Sequence, residues 1–308
     1  MKTKTFFHVQ MEIFEAFKEG HIEHGLSLVK EAEQFFPERE EKLSFWKSCA
    51  YSRIGKTEEA IEVLQDARNK GIWWGPFQLQ HDPDLKYLQG IEEFESIVAE
   101  CKTLFERNEL GAPEFRTFGN EQSSTGILSI HWRGSNIEDF APYWTGADEF
   151  FFGFPQSSQI YSTNMFCWDD AVRAEEEVEL ANQQFLEGRT FKHVLVSGAS
   201  QGGKLAIKRA LSDTCGNIDG FIAVVPAIRD PLEVEEWLKK ATGKARGVII
   251  TGDQDVYHPN IMSLQPLFEQ YGVACKFFTN EGVGHDFPQN FTHQLRESVK
   301  FILQDNKG

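Results

Sequence analysis

The 308-residue sequence has few cysteines and none of the spacings that build metal or disulfide frameworks. Its five cysteines form no CxxC pair, so they indicate neither a zinc site nor a set of disulfides. The sequence also has no HExxH motif and no glycine-rich phosphate loop, which disfavours metalloenzymes and NAD enzymes. We therefore expect no metal and no cofactor. Free thiols, typical of a reducing compartment, are expected at Cys49, Cys101, Cys167, Cys215 and Cys275.

Long apolar runs and an excess of positive charge are also absent. No apolar run approaches the length of a membrane span, and Glu12, Glu15 and Glu19 come before any stretch that resembles a signal-peptide core. We therefore expect a cytoplasmic protein. Lys and Arg number 31 against 47 Asp and Glu, a net charge of −16. Because nucleic acids and anionic lipids are bound through positive charge, neither is expected as the main partner.

The first third of the chain has a helical pattern. From Val9 to Leu104, apolar residues recur at spacings of three and four, the period of an amphipathic helix. Gly20, Gly55 and Gly71 separate the apolar segments, as glycines do at helix ends. We predict an all-α domain over residues 1–112.

Small and large residues have the spacing of a helix-turn-helix repeat of about 34 residues at Ala50, Tyr51, Gly55, Ala60, Leu64 and Ala67. This part of the helical region resembles a tetratricopeptide repeat. A weaker copy of the pattern precedes it, between Gly20 and Pro37. An ordinary helical bundle with coincidental spacing is the alternative. Since fewer than three repeats bury no continuous core, we expect this domain to pack against the rest of the chain or to bind a protein partner.

After Gly111-Ala112-Pro113 the pattern changes to short apolar runs alternating with amphipathic segments. This alternation is typical of an α/β domain with a doubly wound, mostly parallel sheet, predicted here over residues 113–308. The predicted strands are Ile127 to His131, Gln159 to Ser162, His193 to Ser197, Gly220 to Val225, Gly247 to Thr251 and Val273 to Phe278. The predicted helices cover residues 170–187, 203–212, 259–270 and 291–304.

A G-x-S-x-G motif follows the strand predicted to end at Ser197. It reads Gly198-Ala199-Ser200-Gln201-Gly202 and leads into a predicted helix. Glycines on both sides allow a sharp strand-to-helix turn, because a side chain there would collide with neighbouring backbone. Ser200 is therefore the candidate nucleophile.

A serine hydroxyl needs an imidazole to take its proton and a carboxylate to orient that imidazole. His285 lies in the loop after the last predicted strand and is the candidate base. Asp253 and Asp255 both follow the strand before it, at the sheet edge where ligand crevices lie. Either carboxylate is in reach, so the residue pattern leaves the acid open between them.

Acyl transfer also needs N–H donors for the negative charge that develops on the carbonyl oxygen. The backbone N–H of Gln201 is the expected first donor. The second is expected from the loop after the first predicted strand, with the N–H of Arg133 as the candidate. A plain strand-to-helix turn without this role is an equally good interpretation of that loop.

Residues 113–308 resemble the phospholipase/carboxylesterase branch of the α/β-hydrolase superfamily. The resemblance is carried by five motifs in order: His131 to Asn136, Phe166 to Asp169, Gly198 to Gly203, Gly252 to Asp255, and Gly284-His285. It implies the α/β-hydrolase fold and a cofactor-free esterase whose nucleophile, acid and base are Ser200, Asp255 and His285. The G-x-x-D spacing of the family favours Asp255 over Asp253. Trp132 departs from the pattern, because the family usually has glycine at that position.

These observations predict a serine carboxylesterase that hydrolyses small-molecule esters through an acyl-serine intermediate. A sugar-ester deacetylase or a serine peptidase would use the same three residues, because a fold does not determine the substrate. A helical-repeat scaffold with a regulatory or inactive hydrolase domain is the alternative from a different class.

Overall fold

The computed structural model describes residues 4–213, 216–241 and 245–304. Its helices are α1 (Phe6–Lys18), α2 (Ile22–Phe35), α3 (Glu40–Arg53), α4 (Thr57–Asn69), α5 (Pro76–His81), α6 (Glu92–Glu106), α7 (Ile137–Trp144), α8 (Ala171–Leu186), α9 (Gln201–Leu211), α10 (Pro231–Lys240), α11 (His258–Met262), α12 (Leu264–Gln270) and α13 (Phe291–Leu303). Its strands are β1 (Glu114–Gly119), β2 (Thr125–Ile130), β3 (Phe151–Gln156), β4 (Gln159–Ser162), β5 (Met165–Cys167), β6 (His193–Ala199), β7 (Gly220–Val224), β8 (Arg246–Gly252) and β9 (Cys275–Asn280).

The chain forms two compact units. The first comprises the described residues up to Leu110 together with Ile160–Met165. The second comprises Gly111–Gln159 and the described residues from Phe166 onward.

The first unit is built from α1 to α6 with two apolar cores. One core joins α1, α2 and α3 around Ile13 and Val29, and the other surrounds Trp74 and Leu64. Helix α1 ends beside Gly20 (φ 80°), where the left-handed backbone that glycine adopts turns the chain into α2. The predicted helical character of this region is therefore confirmed.

The hairpin formed by β4 and β5 differs from the predicted topology. The segment Gln159–Ser162 is a strand, but it pairs with β5 in a separate two-stranded sheet and not in the main sheet. At the tip, Thr163 N–H donates to the Trp73 carbonyl (3.1 Å) and Trp73 N–H donates to Thr163 Oγ1 (2.9 Å). The prediction that this strand joins the main sheet is therefore wrong. The reason is that strand propensity does not identify the strand with which a segment pairs.

The second unit contains a seven-stranded sheet in the order β1-β3-β2-β6-β7-β8-β9. Within the described part of this sheet, β1 pairs antiparallel with β3, and the pairs β3–β2, β2–β6, β6–β7, β7–β8 and β8–β9 are parallel. Strands β1 and β3 were not predicted. The phenylalanine run Phe150 to Phe152 belongs to β3 and its approach, and Phe152 is fully buried in the core.

Helices cover both faces of this sheet, because successive strand residues point to opposite sides. In β6, Val194 and Val196 pack with α8 to α12, whereas Leu195 packs with α7 and α13. Buried on both faces, the central strands read as continuous apolar runs, which is how the sequence revealed them. Among the described residues, no helix has the length and apolar character needed to cross a membrane.

Replacing the buried Trp74 with alanine should destabilise the helical unit. The Trp74 ring is fully buried and its Nε1–H donates to the Glu41 carbonyl (2.8 Å). Trp74→Ala should lower the free energy of unfolding by about 3 to 5 kcal/mol, because it leaves a cavity and removes the hydrogen bond to the Glu41 carbonyl. Phe77→Ala is the matched control, since Phe77 is 58% exposed. Urea unfolding followed by circular dichroism measures both, and equal losses would contradict this account.

Candidate active site

Ser200 lies on a strained turn between β6 and α9. Its φ of 51° is in the left-handed region, which side-chain-bearing residues rarely adopt. The Ser200 N–H donates to the Val224 carbonyl (2.9 Å), and the Ser200 carbonyl accepts from Ala227 N–H (3.0 Å). Neighbouring backbone therefore holds the strained residue in place, as is common at functional sites.

The two glycines around Ser200 are required by close backbone contacts. A Cβ at Gly202 would lie 2.1 Å from the Ile130 carbonyl oxygen, and a Cβ at Gly198 would lie 2.4 Å from the Gly202 carbonyl oxygen. Either side chain would push α9 away from the end of β2. Glycine at both positions lets the start of α9 approach the loop that contains Arg133.

The structure brings Ser200, His285 and Asp255 together. Ser200 Oγ is 2.8 Å from His285 Nε2, and His285 Nδ1 is 3.0 and 3.1 Å from the two Asp255 carboxylate oxygens. With Asp255 accepting from Nδ1–H, Nε2 is the nitrogen available to accept the serine proton. The Asp255 side chain is fully buried, and its Oδ1 also accepts from Tyr257 N–H (3.0 Å).

Asp253 makes a different contact. Its Oδ1 accepts from Gly282 N–H (2.8 Å) in the loop that leads to His285, and its own N–H donates to the Asn280 carbonyl. The two aspartates of the Gly252-Asp253-Gln254-Asp255 turn thus divide two tasks. Asp253 holds the backbone of the histidine loop, and Asp255 holds the imidazole.

Gln201 and Arg133 lie on the two segments that meet beside Ser200. Gln201 is the first residue of α9, where a backbone N–H has no acceptor within the helix. Arg133 lies in the loop after β2. This loop can approach the start of α9 because Gly198 and Gly202 have no side chains. The side chains of both residues contact the Asp169 carboxylate.

His131 controls the orientation of the peptide between Trp132 and Arg133. Its Nε2 accepts from Ser157 N–H (3.3 Å), so its Nδ1 carries the proton and donates to the Trp132 carbonyl (2.7 Å). In a trans peptide the C=O and the following N–H point in opposite directions. Holding the Trp132 carbonyl therefore sets the direction of the Arg133 N–H.

An aromatic cluster joins the Arg133 loop to the His285 loop. The Trp132 ring lies 5.4 Å from Tyr143 and 5.3 Å from Phe287, and Tyr143 stacks on Phe287 at 4.4 Å. Phe287 is two residues beyond His285. The bulky residue that replaces the expected glycine at position 132 thus contributes to a packed wall between the two loops.

Burial governs the ionisation of the cysteine nearest to this site. Desolvation, with a further contribution from the Asp169 charge, raises the pKa of Cys167 to about 12, so its thiol stays protonated. Cys49, Cys101, Cys167 and Cys275 are free, while Cys215 lies outside the described residues.

Part of the chain matches a family model, and solved structures resemble the chain in fold. Residues 5–109 match the family model described as "A/B hydrolase-like, N-terminal domain". An uncharacterized protein from Bacillus cereus ATCC 10987 is 25% identical over 97% of this chain and 99% of its own, with a TM-score of 0.54. Esterase PE8 is 18% identical over 63% of this chain and 100% of its own, with a TM-score of 0.52. The chain has the α/β-hydrolase fold.

Est1E from Butyrivibrio proteoclasticus is also similar, at 16% identity over 62% of this chain and 93% of its own, with a TM-score of 0.48. No curated protein sequence matches the chain significantly. The predicted α/β-hydrolase fold with a preceding helical domain is confirmed. The tetratricopeptide-like pattern and the phospholipase/carboxylesterase branch stay predictions.

Sequence reasoning missed several residues around the site of this α/β-hydrolase fold. Asp169 belongs to the Phe166 to Asp169 motif, but that motif predicts no contact for it, and the sequence predicts neither the Asp253 contact with Gly282 nor the His131 contact with Trp132. The order of residues along the chain gives no signal for Asp169, because its partners are 36 and 32 residues away. The sequence does contain a signal for Asp253, because it is a second carboxylate two residues before Asp255 in the same turn.

The buried imidazole of His131 should make stability depend on pH. Burial lowers the pKa of His131 to about 4 against the hydrogen bond to Trp132, which raises it, whereas an unfolded histidine has a pKa of about 6.5. Between these values the unfolded state binds the proton and the folded state does not, so stability falls as the pH drops from about 6.5 towards 4.

From pH 7 to pH 5 this linkage corresponds to a loss of about 2 kcal/mol in the free energy of unfolding. His131→Asn keeps a donor for the Trp132 carbonyl but does not titrate. Between pH 7 and pH 5 the free energy of unfolding of this variant should therefore fall by about 2 kcal/mol less than that of the wild type. Urea unfolding at both pH values measures the difference. Identical losses in the two proteins would rule out the neutral buried imidazole as the cause.

Proposed function

We propose that this chain is a serine hydrolase that cleaves carboxylic esters through an acyl-serine intermediate. The observation that carries the proposal is the continuous hydrogen-bonded chain from Ser200 Oγ through His285 to the buried Asp255 carboxylate. The strained backbone of Ser200 adds support, because strain is retained where the surrounding structure maintains it for a purpose.

In the first half of the reaction, Ser200 Oγ attacks the ester carbonyl carbon while its proton passes to His285 Nε2. The carbonyl electron pair moves onto the oxygen, giving a tetrahedral oxyanion. The bond to the alkoxy oxygen then breaks as His285 returns the proton to that oxygen. The alcohol leaves and the acyl group stays on Ser200.

In the second half, water attacks the acyl carbonyl and gives one proton to His285 Nε2. The second tetrahedral species collapses, the bond to Ser200 Oγ breaks, and the proton returns to the serine. The carboxylic acid is the second product. Asp255 keeps accepting from His285 Nδ1–H and stabilises the imidazolium in both halves.

The oxyanion requires donors that are in place before the charge develops. We assign the backbone N–H of Gln201 and the backbone N–H of Arg133 to this role. Gln201 is supported by its position at the start of α9, where the helix dipole also favours negative charge. Arg133 is supported by the His131 hydrogen bond that sets its peptide plane.

A small ester with a short or medium acyl chain is the proposed substrate class. Esterase PE8, which shares the fold, is an esterase by its description, and that is in accord with this choice. We expect p-nitrophenyl butyrate to be hydrolysed faster than sugar acetates or peptide amides in a panel of all three. A preference for the sugar acetate or the peptide would change the substrate class and leave the three residues in their roles.

Fluorophosphonate labelling tests the activated serine without knowledge of the substrate. Wild-type protein should form one adduct, at Ser200, located by mass spectrometry. Ser200→Ala should abolish it, and His285→Ala and Asp255→Asn should slow ester hydrolysis by about 10³-fold or more, because the proton acceptor or its orientation is lost.

Asp253→Asn is the matched control for Asp255→Asn. Its amide keeps an oxygen that accepts from Gly282 N–H, so labelling and turnover should stay close to wild type. If folded wild-type protein gives no adduct, the proposal fails, and a scaffold with an inactive hydrolase domain becomes the better account. Equal defects in the two variants would refute the division of tasks between the aspartates.

A further inference from the structure

A single carboxylate connects the side chains of the two residues assigned as oxyanion donors. Arg133 donates from Nε to Asp169 Oδ1 (3.0 Å) and from Nη2 to Asp169 Oδ2 (2.7 Å). This is the bidentate geometry in which an arginine and a carboxylate constrain each other most strongly. It ties the loop after β2 to the segment before α8.

Gln201 reaches the same carboxylate from the other side. Its Nε2–H donates to Asp169 Oδ1 (2.7 Å), and its Oε1 accepts from Trp168 N–H (3.0 Å). Both ends of the amide are engaged, so its orientation is determined. Because Gln201 directly follows Ser200, the Trp168-Asp169 segment holds the residue that begins α9.

The state of Asp169 suits this linking role. Burial by itself raises its pKa, but hydrogen bonds from Arg133, Gln201 and the Cys167 thiol outweigh burial and bring the pKa below its usual value. The carboxylate is therefore ionised at neutral pH, and it accepts hydrogen bonds from Arg133 and Gln201 on two other segments and from Cys167 on its own.

Small displacements matter in such an arrangement. Donors stabilise an oxyanion when they lie within about 2.7 to 3.1 Å of it, and the effect falls steeply as they move away. Two donors on separate segments, the β2 loop and the start of α9, keep their spacing only if the segments are connected. The chain between them offers no short covalent connection, since Arg133 and Gln201 are far apart in sequence.

We propose that Asp169 is a positioning residue that sets the spacing of the two oxyanion donors by binding the side chains of Arg133 and Gln201 at once. This inference rests on the proposed function and adds to it a residue that touches neither substrate nor the reacting atoms. It predicts that the ion pair acts on the transition state and not on substrate binding.

The test is steady-state hydrolysis of p-nitrophenyl butyrate by Asp169→Asn. We expect kcat to fall by about 10- to 100-fold with KM within about twofold, because the donors are displaced but not removed. A trifluoromethyl ketone with the same acyl chain forms an oxyanion on the serine, so its inhibition constant should rise by the factor by which kcat/KM falls. A purely structural role would not link these two quantities.

Glu149→Gln is the matched control. Glu149 and Arg296 form another bidentate pair in the second unit, at 2.6 and 3.0 Å and with similar exposure, but neither residue lies on the segments that hold the donors. Loss of the Glu149–Arg296 ion pair in this variant should leave kcat and the inhibition constant unchanged. Gln201→Met, which removes the other link while keeping the backbone N–H, provides a second route if Asp169→Asn does not fold.

The outcomes separate the inference from the proposed function. If wild-type protein is labelled at Ser200 and turns over while Asp169→Asn, or Gln201→Met in its place, keeps wild-type kcat, the positioning role is overturned and the esterase proposal stands. An increase in KM alone would also overturn it. If wild-type protein is neither labelled nor active, the proposed function itself fails.

Discussion

The geometry of the site depends on how closely two pieces of backbone approach each other. Gly202, at the start of α9, lies against the carbonyls of Ile130 and His131 at the end of β2, with no room for a Cβ. The turn that makes this contact has Ser200 in the left-handed region, and the contact brings the loop after β2 beside the start of α9. Any residue larger than glycine there would push the start of α9 away from the loop that holds the proposed Arg133 donor.

Around this contact, polar side chains are used mainly to hold backbone. His131 fixes a peptide plane, Asp253 holds the loop before the histidine, and Asp169 joins two segments through their side chains. The His131 imidazole is buried, where an unmade hydrogen bond is costly and a satisfied one is strongly directional, whereas Asp253 and Asp169 are exposed residues. The candidate catalytic residues are thus supported by a surrounding set of groups that do no chemistry themselves.

Two aspartates separated by one residue illustrate how position decides role. Asp255, with a fully buried side chain, accepts from an imidazole and from Tyr257 N–H, whereas Asp253 accepts from a backbone amide in the next loop. The residue types are identical and the turn is the same. Their surroundings distinguish them, because Asp253 is exposed and Asp255 is buried beside the imidazole.

The sequence by itself determined the helical first unit, five of the sheet strands and the G-x-S-x-G turn, because these features depend on local periodicity and on glycine sterics. Ser200 and His285 followed from chain order and from loops at the ends of strands. The residue pattern left the acid open between Asp253 and Asp255, and only the family resemblance favoured Asp255, which contacts the imidazole. Tertiary structure alone decided that Gln159–Ser162 pairs outside the main sheet and that Asp169 joins Arg133 to Gln201. These are contacts between side chains or strands from separate segments, and their geometry is set by packing that no local pattern encodes.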